Sequence, residues 1–126
     1  MKLNAKQRET KELIGEIALL FEIDPDWAAA VAMVESSLGI HQKSPTGCQG
    51  IFQMSAIAMK DLLLEMEKSD DELIDIVCGV AFLKLLLKRW GNMDEATRHF
   101  CDPRDRSFYL DRVYQYKWDF TNGTIF

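Results

Sequence analysis

Apolar residues recur along this chain at spacings of three and four, the period of a helix face. Leu13, Ile14, Ile17, Leu20 and Phe21 predict a first helix over about Lys6 to Phe21. Asp24 and Pro25 then mark a restart, because an aspartate can cap free N–H groups and proline suits the first helical position. The alanine-rich stretch from Trp27 to Ser36 predicts a second helix, with Gly39 as its expected end. Residues 39–50 hold three glycines and a proline and read as a loop. Ser55 is a suitable cap for a third helix, about Ala56 to Glu67, and Ser69 with Glu72 form a capping box for a fourth, about Asp70 to Trp90. That fourth helix is apolar on most sides, which is the pattern of a segment buried in the middle of a bundle. Gly91 is expected to stop it, Asn92 and Glu95 to cap a fifth helix over Met93 to Phe100, and a sixth to run from about Arg106 to Trp118 with Tyr109, Val113 and Tyr116 on one face. No segment alternates as a strand would. The pattern therefore predicts one compact all-α domain of about six helices over residues 1–126.

Composition narrows the function more than the fold. A length of 126 residues suffices for one real core. The net charge of −5 argues against a duplex nucleic acid as partner, which would require a basic face, and leaves a neutral or peptide-decorated glycan open. Cys48, Cys78 and Cys101 are odd in number and form no CxxC pair, and neither His41 nor His99 joins them at a ligand spacing. No disulfide framework, metal or organic cofactor is expected. The N-terminal MKLNAKQRETKE is polar where a signal peptide would be apolar, and no apolar run reaches the length of a membrane span. The expectation is a protein made in the cytoplasm without a signal peptide and not inserted in a membrane.

Glu35 is the first chemical anomaly. Trp27, Val31, Val34, Glu35 and Leu38 share one helical face, so a carboxylate lies on an apolar stripe near a helix C-terminus. Desolvation and the partial negative charge of that terminus both hold a proton on the acid, as a departing oxygen requires. The stripe alone favours the plainer reading, a glutamate reaching solvent at its helix end.

The segment from Ser44 to Met54, SPTGCQGIFQM, changes that balance. Gly47 and Gly50 permit tight turns and close backbone approach to a ligand. Gln53 supplies a donor and an acceptor suited to sugar hydroxyls and N-acetyl groups, and Phe52 and Met54 supply apolar surface. A glycine turn anchored in the core is the alternative. Cys48 with His99 is a rival nucleophilic pair for a peptidase, but such pairs stand on a helix and a sheet, and no sheet is patterned here.

Taken together, these residues resemble the SLT-type lytic transglycosylases, relatives of goose-type lysozyme. In that family a helix ends in Glu-Ser and is followed by Ser-Pro-x-Gly-x-x-Gly-Leu-Met-Gln. Glu35-Ser36 matches the first element; Ser44, Pro45, Gly47, Gly50 and Gln53 match the second, with Ile51 and Phe52 as apolar variants. Ile23-Asp24-Pro25 is similar to the family's entry into the catalytic helix, and the helix with Gly79 and Leu83 to the family's buried helix. The resemblance implies a lysozyme-like fold, Glu35 as catalytic acid and base, and Ser36, Gly50, Phe52 and Gln53 around the sugar. Ser44, Met54 and Tyr109 complete the residues it assigns to substrate binding. Tyr109 either approaches Glu35 or is a core tyrosine; both readings stand at this point. Where the family commonly carries Ala-Tyr-Asn-Ala-Gly, this chain has Arg98-His99-Phe100-Cys101-Asp102, keeping a ring but losing the hydroxyl and the amide.

The implied activity is cleavage of MurNAc–GlcNAc bonds in peptidoglycan. No Asp or Glu occurs from Ser36 to Lys60, so a second carboxylate for hydrolysis is missing from the loop, and a 1,6-anhydro product is expected. The alternatives are a hydrolytic muramidase, with Asp102 or Asp105 as the added acid, and a degenerate glycan-binding or virion protein. A monomer is expected, reaching the wall through a membrane-permeabilising, holin-type partner or within a phage particle.

Overall fold

The computed structural model describes residues 2–41, 50–53, 72–100 and 106–126. Five helices lie within them: α1 (Ala5–Leu20), α2 (Pro25–Ser36), α3 (Glu72–Trp90), α4 (Met93–Phe100) and α5 (Arg106–Asn122). There is no strand among the described residues. The helix expected over about Ala56 to Glu67, and the Ser69 half of its neighbour's capping box, fall outside them.

Local chemistry accounts for the helix starts. Asn4 caps α1 by accepting from the Gln7 N–H at 2.8 Å, and Gln7 Oε1 accepts from the Asn4 N–H at 2.9 Å. Each side chain satisfies an amide that the helix leaves free. Asp24 Oδ1 accepts from the N–H groups of Asp26 and Trp27 at 2.9 and 3.2 Å, with Pro25 in the first turn, as expected. Asn92 Oδ1 accepts from the Glu95 N–H at 2.8 Å and opens α4.

Helix α2 is the centre of the described fold. Trp27 through Met33 are all buried, so the alanines serve as thin contact surfaces that let neighbouring helices approach on several sides. It packs chiefly on α5 and α1, while α3 packs on α4. The Trp27 indole N–H donates to Thr97 Oγ1 of α4 at 2.8 Å, and the Thr97 hydroxyl passes its own proton to the Met93 carbonyl at 2.7 Å. This chain satisfies two buried polar groups inside the core.

Two contacts set the direction of α5 against α2. Near the start of α2, Asp26 Oδ2 accepts from Thr121 Oγ1 at 2.8 Å. Near its end, Glu35 meets Tyr109. The helices are therefore antiparallel, and the first turns of α5 stand beside the last turn of α2. Helix α5 also runs four residues beyond the expected Trp118, because Phe120 is buried and packs under the Lys11 ammonium, 4.9 Å from the ring centre.

The end of α2 differs from expectation. Ser37 rather than Gly39 turns the chain, and Ser37, Leu38 and Gly39 follow one another with φ of 52°, 57° and 97°. Left-handed backbone at a non-glycine residue costs on the order of 1–2 kcal/mol. Compensation is visible at each residue. Leu38 is fully buried. The Ser37 carbonyl accepts from Gln7 Nε2 of α1 at 3.0 Å, and the Ser37 N–H donates to the Met33 carbonyl at 2.9 Å.

Candidate active site

Glu35 stands two residues before Ser37, half-buried on the last turn of α2. Tyr109 of α5 donates its hydroxyl to Glu35 Oε2 at 3.2 Å. Burial raises the Glu35 carboxyl to about 7, from an ordinary 4.5, while the Tyr109 hydrogen bond pulls in the opposite direction. Desolvation outweighs the hydrogen bond, as it does when a carboxyl loses most of its water and gains a single neutral donor. The acid is thus half-protonated near neutrality, where one group can both give and take a proton.

Ser36, the next residue, faces the other way and is buried. Its single proton goes to the Ile51 carbonyl at 2.5 Å in preference to the Ala32 carbonyl at 3.3 Å. The Ser36 oxygen in turn accepts from the Gly39 N–H at 2.9 Å. Ser36 is thus a buried strut between α2 and the Gly50–Gln53 turn.

The turn itself is tightly specified. Gly50 has φ of 85°, and a methyl group there would stand 2.7 Å from Asp75 Oδ2 of α3. Gln53 is also left-handed, with φ of 51°. Its N–H and its Nε2 both donate to the Gly50 carbonyl, at 3.2 and 2.7 Å. That second bond orients the side-chain amide and commits one of its donors within the turn. Phe52 is buried, with the Phe100 ring edge-on at 6.4 Å and Phe82 tilted 5.5 Å beyond Phe100. Phe52, like Ser36, is packed in the interior beside the turn. The ring that Phe100 keeps is used for this packing.

Glu35, Ser36, Gly50, Phe52, Gln53 and Tyr109 are thus drawn into one region around the end of α2. Ser44 and Met54 lie outside the described residues, as do Cys48, Asp102 and Asp105. One carboxylate was missed by sequence reasoning. Asp75, against Gly50, comes from a helix that begins more than twenty residues further along the chain. Its only sequence signal is its position four residues before Gly79 on the same face.

No group of three or more His, Cys, Asp or Glu among the described residues is placed to hold a metal. No helix of the described residues is long and apolar enough to cross a membrane.

Neither the curated proteins nor the solved structures give a significant match to this chain. The family model described as the transglycosylase SLT domain matches residues 12–105, about three quarters of the sequence. The match spans α2, the Gly50–Gln53 turn, α3 and α4. This chain therefore belongs to the transglycosylase SLT domain family, whose chemistry is the cleavage of peptidoglycan strands.

Proposed function

We propose that this protein is a lytic transglycosylase that cuts MurNAc–GlcNAc bonds with Glu35 as the sole acid and base. The observation that carries the reading is the Glu35 carboxyl, raised to about 7 by burial and oriented by Tyr109 at 3.2 Å. Protonated Glu35 gives its proton to the glycosidic oxygen as the bond from C1 of MurNAc to that oxygen breaks. The carbonyl of the sugar's own N-acetyl group shares the positive charge left at C1. Glu35, now a carboxylate, takes the proton of the C6 hydroxyl, whose oxygen bonds to C1 and closes a 1,6-anhydro ring. The carboxyl ends protonated, no water is consumed, and no cofactor is required. Attack from within the same sugar benefits from a high effective molarity. Gln53 supplies the amide for sugar hydroxyls or N-acetyl groups, with Ser44 and Met54 in the same sugar-binding segment.

Asp75 favours a second reading. A carboxylate beside Gly50 is a candidate to hold a water across the scissile bond, as a hydrolytic muramidase requires. Digestion of purified sacculi, followed by mass spectrometry, separates the two. Anhydromuropeptides, one water lighter than the hydrolytic product, are expected. Predominantly reducing ends would reject the transglycosylase reading. Glu35→Gln should lower the rate by on the order of 10²–10⁴-fold or more, and full residual activity would reject Glu35 as the acid. A wild-type protein that binds sacculi without cutting them would establish the degenerate, glycan-binding alternative. We further propose that the enzyme acts on the wall as a monomer, released by a holin-type partner or carried in a phage particle.

A further inference from the structure

Gly79 lies in the interior of α3, where alanine would be the better helix former. Its lack of a side chain has a specific use. A methyl group at this position would run into the Phe52 ring, overlapping Cγ and Cδ2 and standing 2.8 Å from Phe52 Cβ. The bare backbone of α3 is thus a notch, and Phe52 fills it. The ring has little room to move aside, because Phe100 meets it edge-on at 6.4 Å and Phe82 backs Phe100. One turn earlier on the same face of α3, Asp75 meets Gly50, the first residue of the turn. On the opposite side, Ser36 Oγ donates to the Ile51 carbonyl. The turn is held between α2 and α3, and the depth of Phe52 in its notch sets how far the turn stands from α3.

Gln53 follows Phe52 directly, in a left-handed conformation and with its side chain tied back to Gly50. It has no freedom to absorb a shift of its neighbour without breaking one of those bonds. We propose that Gly79 is a positioning residue: by admitting the Phe52 ring, it sets the place of the Gln53 amide relative to the Glu35 carboxyl. This rests on the reading of the site as a glycan-cleaving centre. A side chain at position 79 lifts Phe52, carries Gln53 with it and weakens the grip on the sugar, while Glu35 and Tyr109, on α2 and α5, stay in place.

The test uses the full chain as Gly79→Ala, Phe52→Ala and the double variant. Activity is followed on soluble peptidoglycan strands, and backbone amides by NMR of nitrogen-labelled protein. Gly79→Ala should raise KM by on the order of tenfold to a hundredfold, the scale of a misplacement near 1 Å. It should leave the pH profile of kcat where it was, and shift and deprotect the Gln53 amide. A variant that only lost folded protein would show a lower kcat with KM unmoved. In the double variant alanine at position 52 lacks the Cγ and Cδ2 that the added methyl would overlap, and only its Cβ, at 2.8 Å, has to shift, so KM should return toward that of Phe52→Ala alone. An unchanged KM and an unmoved Gln53 amide in Gly79→Ala would overturn the proposal. Should Gly79→Ala not fold, recovery of folding in the double variant supports the notch, and failure of both overturns it. If wild-type protein does not cut peptidoglycan, the functional reading fails, while the Gln53 amide still reports whether Gly79 places the turn.

Discussion

Tyr109 donates to Glu35 Oε2 at 3.2 Å and so opposes the effect of burial on the acid. Burial favours the protonated carboxyl; the phenol favours the carboxylate. The pair keeps the acid strong enough to release its proton and weak enough to hold it near pH 7.

Removing the phenol should therefore shift the acid in a known direction. Tyr109→Phe leaves desolvation in place and deletes the one effect that lowers the Glu35 pKa. The alkaline limb of the pH–rate profile should move upward. The maximal rate should fall by about fivefold to tenfold, the scale of one lost hydrogen bond of about 1 kcal/mol. A limb that moved down, or did not move, would show that the phenol does not act on Glu35.

The same carboxyl makes stability depend on pH. Folded Glu35 holds its proton up to about pH 7, whereas the unfolded chain releases it near 4.5. Between these values the folded state binds more protons, so stability falls as pH rises. The loss approaches on the order of 3 kcal/mol above pH 8. Glu35→Gln keeps the shape and an acceptor for Tyr109 but has no charge to bury. Its midpoint in urea should equal that of wild type at pH 4 and exceed it at pH 8. Parallel pH dependence in the two proteins would contradict a desolvated Glu35.

Ser36→Ala tests the strut. The variant removes the buried donor to the Ile51 carbonyl and the side-chain acceptor of the Gly39 N–H, which keeps its bond to the Ser36 carbonyl at 3.1 Å. The cost of leaving the buried Ile51 carbonyl without that donor is about 1–3 kcal/mol. Thermal unfolding should shift down by several degrees, with a rise in KM as the Gly50–Gln53 turn loosens. A fall in kcat alone, with the melting temperature preserved, would indicate direct contact between Ser36 and the substrate.

The starts and stops of helices were legible in the sequence wherever one residue type performs one local task. Asp24 and Asn92 act through a side-chain oxygen on amides two or three residues on, and Pro25 and Gly91 through their own backbone. The Asn4–Gln7 box is equally local, but it precedes the apolar pattern and so gave no signal against it. The last turn of α5 depends on tertiary burial of Phe120, which no local rule registers. Glu35, Gln53 and Tyr109 were legible as types on faces and in motifs. The left-handed Ser37 and Leu38 were not, because neither residue type favours that backbone; a buried side chain and Gln7, thirty residues away, hold it. Asp75 was missed for a related reason: an i, i+4 relation to Gly79 puts both on one face but does not say what that face touches.

Glu35 and Ser36 are consecutive, yet they answer to different partners, Tyr109 on α5 and Ile51 in the turn. Consecutive helical residues project about 100° apart. Their separation by a single peptide unit therefore sets the angle between the Glu35 carboxyl and the Gly50–Gln53 turn. Exchange of side chains leaves that angle intact. Insertion or deletion of one residue between Trp27, fastened to Thr97, and Ser36 would rotate the acid away from the phenol, the hydroxyl away from the turn, or both. This stretch of α2 should accept substitutions over evolutionary time while keeping its length invariant, and changes of length should accumulate elsewhere in the chain.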